Sequence, residues 1–284
     1  MLYLLLSIGT TTLLFILFKV FERQKVDLFS AIVVNYAVAA ALGSVLIFPK
    51  TIIPEGPPGE YLLLLALGAL FISLFVLLGR TAQNQGISIA VTANKMSLII
   101  PVLLAFVLLG ESIQSLQLMG IFVALTGIAL TLYRPSGDKV LSGIIWPLIV
   151  FAGSGLIDFL LKYGQHHYLE GEHDFLAFTS GIFFVALVFG LIYGLATRQF
   201  RLSERTLLYG ALLGVPNFFS IYFLLLALGK AGMESTVLLP VNNSSVLLLS
   251  TLLSMLLFKE KLSTLNRIGV LISLGAIFLI LYGS

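Results

Sequence analysis

Residues 94–111 read NKMSLIIPVLLAFVLLGE, and residues 243–260 read NSSVLLLSTLLSMLLFKE. Both stretches open on asparagine, continue as a mostly apolar run and close on glutamate, 149 positions apart. At the same offset, without gaps, Ala82 falls on Ala231, Leu103-Leu104 on Leu252-Leu253, Gly120 on Gly269, Leu125 on Leu274 and Tyr133 on Tyr282. Lys19 and Lys162 match at a slightly different offset. Leucine coincidences carry little weight in a leucine-rich chain. Asparagine, glutamate, glycine and tyrosine sharing one register indicate a duplicated unit.

The surroundings of these stretches define the solvent. Of 284 residues, 59% are hydrophobic and 10% charged. A soluble domain carries about 25% charged residues. So few charges cannot cover a water-exposed surface without large apolar patches, so the chain faces mostly lipid. A spanning helix needs about 20 apolar residues. Apolar runs between polar or Gly/Pro breaks predict helices over 2–21, 28–48, 61–82, 87–109, 116–133, 143–163, 175–197, 206–228, 235–257 and 265–282. Such uniformly apolar runs lack the alternation of a membrane β-barrel. Pro49 to Glu60 holds four prolines and two glycines and is expected to interrupt any helix. Arg134-Pro135-Ser136-Gly137-Asp138 closes the fifth helix, and Ser203-Glu204-Arg205 reads as an N-terminal cap.

The expected fold is therefore all-α: ten transmembrane helices as two inverted five-helix repeats, residues 1–135 and 142–284. An odd number of spans per repeat makes the second copy enter the membrane from the opposite side, as in many secondary transporters. Met1-Leu2-Tyr3-Leu4 has no basic region before its apolar run, so the first segment reads as a retained helix. Loops after odd-numbered helices hold eleven basic residues, Arg80, Arg134, Arg198, Arg201, Lys259 and Arg267 among them. Loops after even-numbered helices hold Lys50 and Lys230, with Lys162 at a helix end. The positive-inside rule then puts odd loops in the cytoplasm and both termini outside.

Other classes of chemistry are thin on the page. With no cysteine, disulfides and thiolate metal sites are excluded. A net charge of +3 is too small to suggest a nucleic-acid partner. His166, His167, Glu170, Glu172, His173 and Asp174 crowd one expected loop, but their spacing matches no metal motif. No cofactor is expected. The partners are a small-molecule substrate and the lipid bilayer, with the chain a monomer or homodimer.

Polar residues inside the spans are the candidates for transport. Lys95 lies about 12 Å into the fourth helix at 1.5 Å per residue, beside Thr92 and Asn94. It reads either as the binding group for a substrate anion or as a structural ion pair. Asp158 shares a face with Ser154 and Lys162 and is its candidate partner, or else pairs locally with Lys162. Pro240-Val241-Asn242-Asn243-Ser244-Ser245 sets four amide and hydroxyl side chains in an apolar span, as cavity lining or as interhelical glue. Its proline is expected to open backbone carbonyls to a ligand. Asn94 and Asn243 are repeat counterparts and are expected near the pseudo-twofold axis. Asn217 and Tyr222 in the eighth helix and Asn35 in the second add polar groups of the kind small-ligand pockets use. Glu111 and Glu260 read as structural. The spacings Gly190 to Gly194 and Gly210 to Gly214 read as sites of close helix packing.

Gly110-Glu111, Leu116, Gly120 and Tyr133, repeated as Lys259-Glu260, Leu265, Gly269 and Tyr282, resemble the EamA-type repeat of the drug/metabolite transporter superfamily. The resemblance covers nearly the whole chain. It implies a ten-helix carrier of the bacterial inner membrane that exports or exchanges a small polar metabolite, such as an amino acid or another compound with an anionic group, by alternating access. The first helix has Thr10-Thr11-Thr12 where these proteins commonly carry a tryptophan-glycine pattern. Outward termini differ from the cytoplasmic termini usual in nucleotide-sugar carriers. Two other activities suit a polytopic chain: a flippase for a lipid or lipid-linked sugar, and a membrane enzyme on a lipid-linked substrate. The enzyme would need clustered carboxylates, and no close acidic pair lies inside an expected span.

Overall fold

A computed structural model of the chain describes residues 1–47, 56–100, 103–104, 115–132, 140–169, 171–230 and 235–282. In hydrocarbon, backbone polar groups must be satisfied within the chain, and an uninterrupted apolar run does so as a helix. Among the described residues the elements are ten α-helices: α1 (Leu2–Arg23), α2 (Leu28–Ile47), α3 (Pro58–Gln85), α4 (Ile87–Met96), α5 (Ser115–Leu132), α6 (Val140–Tyr168), α7 (Glu172–Thr197), α8 (Glu204–Lys230), α9 (Ser235–Phe258) and α10 (Thr264–Tyr282). Seven of them, α1 to α3 and α6 to α9, are long and apolar enough to cross a bilayer, and α5 and α10 hold shorter apolar stretches.

The helix ends show where sequence expectations shift. α3 begins at Pro58, inside the stretch expected to break it. Proline suits the first helical position because its missing N–H would have no intrahelical partner there. α8 starts as expected, with the Thr206 amide donating to Ser203 Oγ at 3.1 Å. α6 and α7 are longer than expected, so the acidic and histidine residues between them do not share a loop. His166 and His167 lie in the last turns of α6, and Glu172, His173 and Asp174 in the first turn of α7. Asp174 accepts the Gly171 amide at 3.1 Å, and His167 stacks on Tyr163. No group of three metal-ligating side chains occurs among the described residues. Glu111, Glu170, the linker 134–138 and the 105–109 part of the expected fourth helix lie outside the described residues.

The chain folds as two compact units. The first comprises Met1–Val76 and Leu160–Ala231, and the second Leu77–Phe159 and Gly232–Ser284. Each therefore draws on both repeats.

In the first unit α2 packs against α7 and α8, and α1 against α8. Along the α2–α7 pair, Phe29 meets Tyr193, Tyr36 meets Phe183 and Gly43 meets Ser180. Positions rise on one helix as they fall on the other, so the two run antiparallel. The Gly210/Gly214 spacing seats α8 on α2. A Cβ on Gly214 would fall 2.7 Å from Val38 Cβ and 2.8 Å from the Asn35 carbonyl oxygen. This is the close packing the spacing suggested.

In the second unit α10 packs on α5 and α9, and α9 on α4. Gly127 faces Ser273 and Gly269 faces Thr131, while Asn266 Nδ2 donates to the Thr131 carbonyl at 2.7 Å. This pair too is antiparallel. α2 and α7 hold the second place in their repeats, and α5 and α10 the fifth. Repeats of the same orientation would place such counterparts parallel. Their antiparallel packing, seen separately in each unit, is the signature of inverted repeats.

Replacing Gly214 with leucine should lower the thermal midpoint in detergent, with a cost of about 1–3 kcal/mol or more from overpacking. Gly9→Ala is the control, because nothing among the described residues lies within 4 Å of the added carbon there. Equal midpoints for the two variants would contradict the α2–α8 contact.

Candidate functional site

The polar chemistry of the second unit gathers where α4 stops. α4 ends at Met96, and after a turn at Ser97–Leu98 helix resumes at Ile99–Ile100 and is present again at Leu103–Leu104, so the helix expected over 87–109 is interrupted at this turn. The local cause is in the sequence. Pro101 has no N–H to give to the carbonyl four residues back, and that carbonyl belongs to Ser97. The Ser97 carbonyl instead accepts the Ile100 amide at 2.9 Å, a tighter turn that leaves no orphan. α6 comes close to this turn. A Cβ on Gly155 would lie 2.8 Å from the Ser97 carbonyl oxygen and 2.5 Å from Ile100 Cβ. Glycine at 155 thus lets α6 touch backbone.

The residues flanking Gly155 connect to the break. Asn94 Nδ2 donates to Ser154 Oγ at 2.9 Å. Ser97 Oγ donates to the Asn94 carbonyl, and its second acceptor is Asp158 Oδ2 at 3.3 Å. The hydroxyl has one proton for two acceptors. Protonated Asp158 would reverse the second bond and donate to Ser97 Oγ. Lys95 is half-buried between Asn94 and this turn, and Asp158 is exposed. The two charges interact electrostatically but do not close into a direct ion pair. Among the described residues Lys95 makes no direct ion pair or hydrogen bond, which leaves its ammonium hydrogens to another acceptor. Asn94, Lys95, Ser97, Ser154 and Asp158 form one cluster around a broken helix.

The other candidates differ in how far their groups are occupied. Thr92 is fully buried and its hydroxyl bonds the Ser88 carbonyl of its own helix. Ser244 likewise bonds the Pro240 carbonyl. On α9, Asn242 is 2% exposed and its Oδ1 has no hydrogen-bond partner among the described residues. Asn243 is buried and makes no hydrogen bond to Asn94 among the described residues. α9 remains helical through Pro240. The carbonyl freed by that proline is at Thr236, in the first turn, so the opening lies at the end of α9 and not beside Asn242.

Three candidates belong to the first unit. Asn35 and Asn217 bond each other, Nδ2 of Asn217 donating to Oδ1 of Asn35 at 3.1 Å, and they are 0% and 3% exposed. Ser220 Oγ continues the network to the Asn217 carbonyl, and Ser7 Oγ donates to the Ser220 carbonyl. This network ties α1, α2 and α8 together. Tyr222 is half-buried and stacks on Phe218.

Sequence reading missed Ser97 and Gly155 as parts of the cluster. A signal for Ser97 was present, since it stands four residues before Pro101. Nothing local marked Gly155.

The EamA-like transporter family model matches residues 1–133 and 141–282. The chain belongs to the EamA-like transporter family. It is thus an integral, multi-pass membrane transporter built from two EamA domains. An uncharacterized protein of Haemophilus influenzae is 29% identical over 279 residues, covering 94% of this chain and 93% of that protein. A crystal structure matches with a TM-score of 0.65 at 13% identity, covering 96% of this EamA chain and 97% of the other. That likeness concerns the fold alone.

Removing one asparagine of the buried pair should cost more than removing both. Asn217→Ala leaves Asn35 Oδ1 buried and unbonded, at about 1–3 kcal/mol, whereas Asn35→Leu with Asn217→Leu recovers part of the loss. Thermal midpoints of the two variants in detergent decide this. A double variant less stable than the single one would speak against the pair as a structural tie.

Proposed function

We propose that this EamA-family protein is a secondary transporter, an exporter or exchanger, of a small polar metabolite bearing an anionic group. The single observation behind this reading is Lys95: an ammonium inside a membrane helix, beside a helix break, without a direct carboxylate partner among the described residues. A charge in the membrane is costly and is retained where it meets a polar cavity or a ligand. An anionic group on the substrate supplies the missing partner. Asn94, Asn242 and Asn243 contribute amide contacts of the kind that orient a small ligand, and Ser244, its proton given to the Pro240 carbonyl, contributes a hydroxyl oxygen as acceptor. Thr92 supports the α4 side, and Asn35, Asn217 and Tyr222 belong to the polar and aromatic framework of the carrier.

Asp158 is the coupling group in this reading. Its carboxylate and an incoming substrate anion compete for Lys95. Protonation of Asp158 frees Lys95 for substrate, and release of substrate returns Lys95 to Asp158. The break at Ser97 lets the lower and upper parts of that segment tilt separately, as alternating access requires. The repeats 1–135 and 142–284 exchange roles between the outward-open and inward-open states, in a bacterial inner membrane with both termini outside.

Two variants in proteoliposomes test the scheme, with amino acids and other small anionic metabolites screened as substrates. Lys95→Gln should reduce flux at least about tenfold while the protein still folds, the scale of one charge-assisted contact of about 1.5–3 kcal/mol. Asp158→Asn should retain substrate counterflow but lose its acceleration by an imposed pH gradient. Undiminished flux in Lys95→Gln refutes the binding role, and unchanged gradient dependence in Asp158→Asn refutes the coupling role.

A further inference from the structure

A cleft of about 340 Å³ lies apart from the Lys95 cluster, lined by Leu77, Arg80, Thr81, Asn84 and Gln85 of α3 and by Trp146 of α6. We propose that it binds the phosphodiester headgroup of an anionic membrane lipid. The chemistry of the lining carries this assignment. Among the described residues, Arg80 is the one charged residue of the lining and no acidic side chain lines it. Its guanidinium is exposed and has no ion pair or hydrogen bond among the described residues. Asn84 is exposed and equally unoccupied. The Thr81 hydroxyl is bound to the Leu77 carbonyl at 2.8 Å, so it closes the wall instead of meeting a ligand. Trp146 is 48% exposed and offers an indole face and one N–H donor. An unpaired guanidinium, a free carboxamide and an indole N–H favour a small oxyanion. A planar guanidinium matches two phosphate oxygens at once.

The depth of the cleft selects the lipid over a soluble anion. α3 has 28 residues and is about 42 Å long, against a hydrocarbon core of about 30 Å. Measured from Pro58, Arg80 is about 33 Å along the helix, just past that core. Trp146 lies two residues inside the start of the apolar span Ile144–Gln165. Both therefore lie at headgroup level, where tryptophan is enriched. Leu77 and the apolar span below it give acyl chains a surface beneath the headgroup. A zwitterionic lipid brings its own ammonium to compete with Arg80, so an anionic glycerophospholipid is preferred.

The test uses the full-length protein in neutral detergent and native mass spectrometry to titrate lipid. The lipids are phosphatidylglycerol and phosphatidylcholine with the same acyl chains, and glycerophosphoglycerol supplies the same phosphodiester without chains. Phosphatidylglycerol should bind wild type more tightly than phosphatidylcholine. Arg80→Gln should weaken it about fivefold, the scale of one basic contact near an anionic surface. Arg80→Lys should fall between the two, because it keeps the charge and loses the paired donors. Trp146→Leu should also weaken binding, while Lys261→Gln, at an exposed cation outside the cleft, should not. Equal binding of the two lipids overturns the proposal. So does an Arg80→Gln loss no larger than that of Lys261→Gln. Binding of glycerophosphoglycerol as tight as that of the lipid would make this a soluble-anion site and overturn the lipid assignment.

Discussion

In a bilayer core no water is present to satisfy a backbone N–H or C=O. That constraint makes the apolar runs helical and makes every departure from helix conspicuous. The departure after Met96 is tolerated because its exposed acceptor is taken. Proline at 101 deprives the Ser97 carbonyl of its ordinary donor, and the Ile100 amide replaces it. The same turn leaves Asn94, Lys95 and Ser97 clustered, and α6 meets them with Ser154, Gly155 and Asp158. A backbone rule thus determines where polar side chains can gather.

Close approach between helices is the second condition. Without a hydrophobic drive between helices in lipid, packing depends on backbone proximity, and small residues permit it. Gly210 and Gly214 seat α8 on α2, Gly127 and Gly269 bring α5 to α10, and Gly155 brings α6 to the Ser97 turn. Polar ties follow wherever backbones are near. Asn35 with Asn217 and Asn266 with Thr131 are examples, each joining helices far apart in the chain. The two kinds of polar group have different fates. The Asn35–Asn217 pair is closed and buried, whereas among the described residues Lys95 and Asn242 Oδ1 have unfilled bonding capacity.

The repeat was legible because rare polar residues survive in register among leucines, and the antiparallel counterparts α2–α7 and α5–α10 agree with it. The polarity of Lys95 and Asp158 was legible as well, since a charge in an apolar run stands out. Their neighbours were not. Ser97 reads as one more serine of an apolar helix, and nothing in the sequence says that Asn35 and Asn217, two polar groups 182 positions apart, bond each other. Periodicity reports which face a residue is on. It does not report what lies opposite.

Sequence alone determined that this chain lives in lipid, that it is helical, and that it is one five-helix unit written twice. Composition and the number of apolar runs decide those points through solvation, which acts on each segment separately. Tertiary structure decided which polar groups are occupied and which are open. It joined Asn94 to Ser154 and Ser97 to Asp158 across 60 and 61 positions of chain, and among the described residues it left Lys95 without a direct counter-charge. Hydrogen bonds and ion pairs depend on distances of a few ångströms between segments, and only the packing of the helices sets those distances.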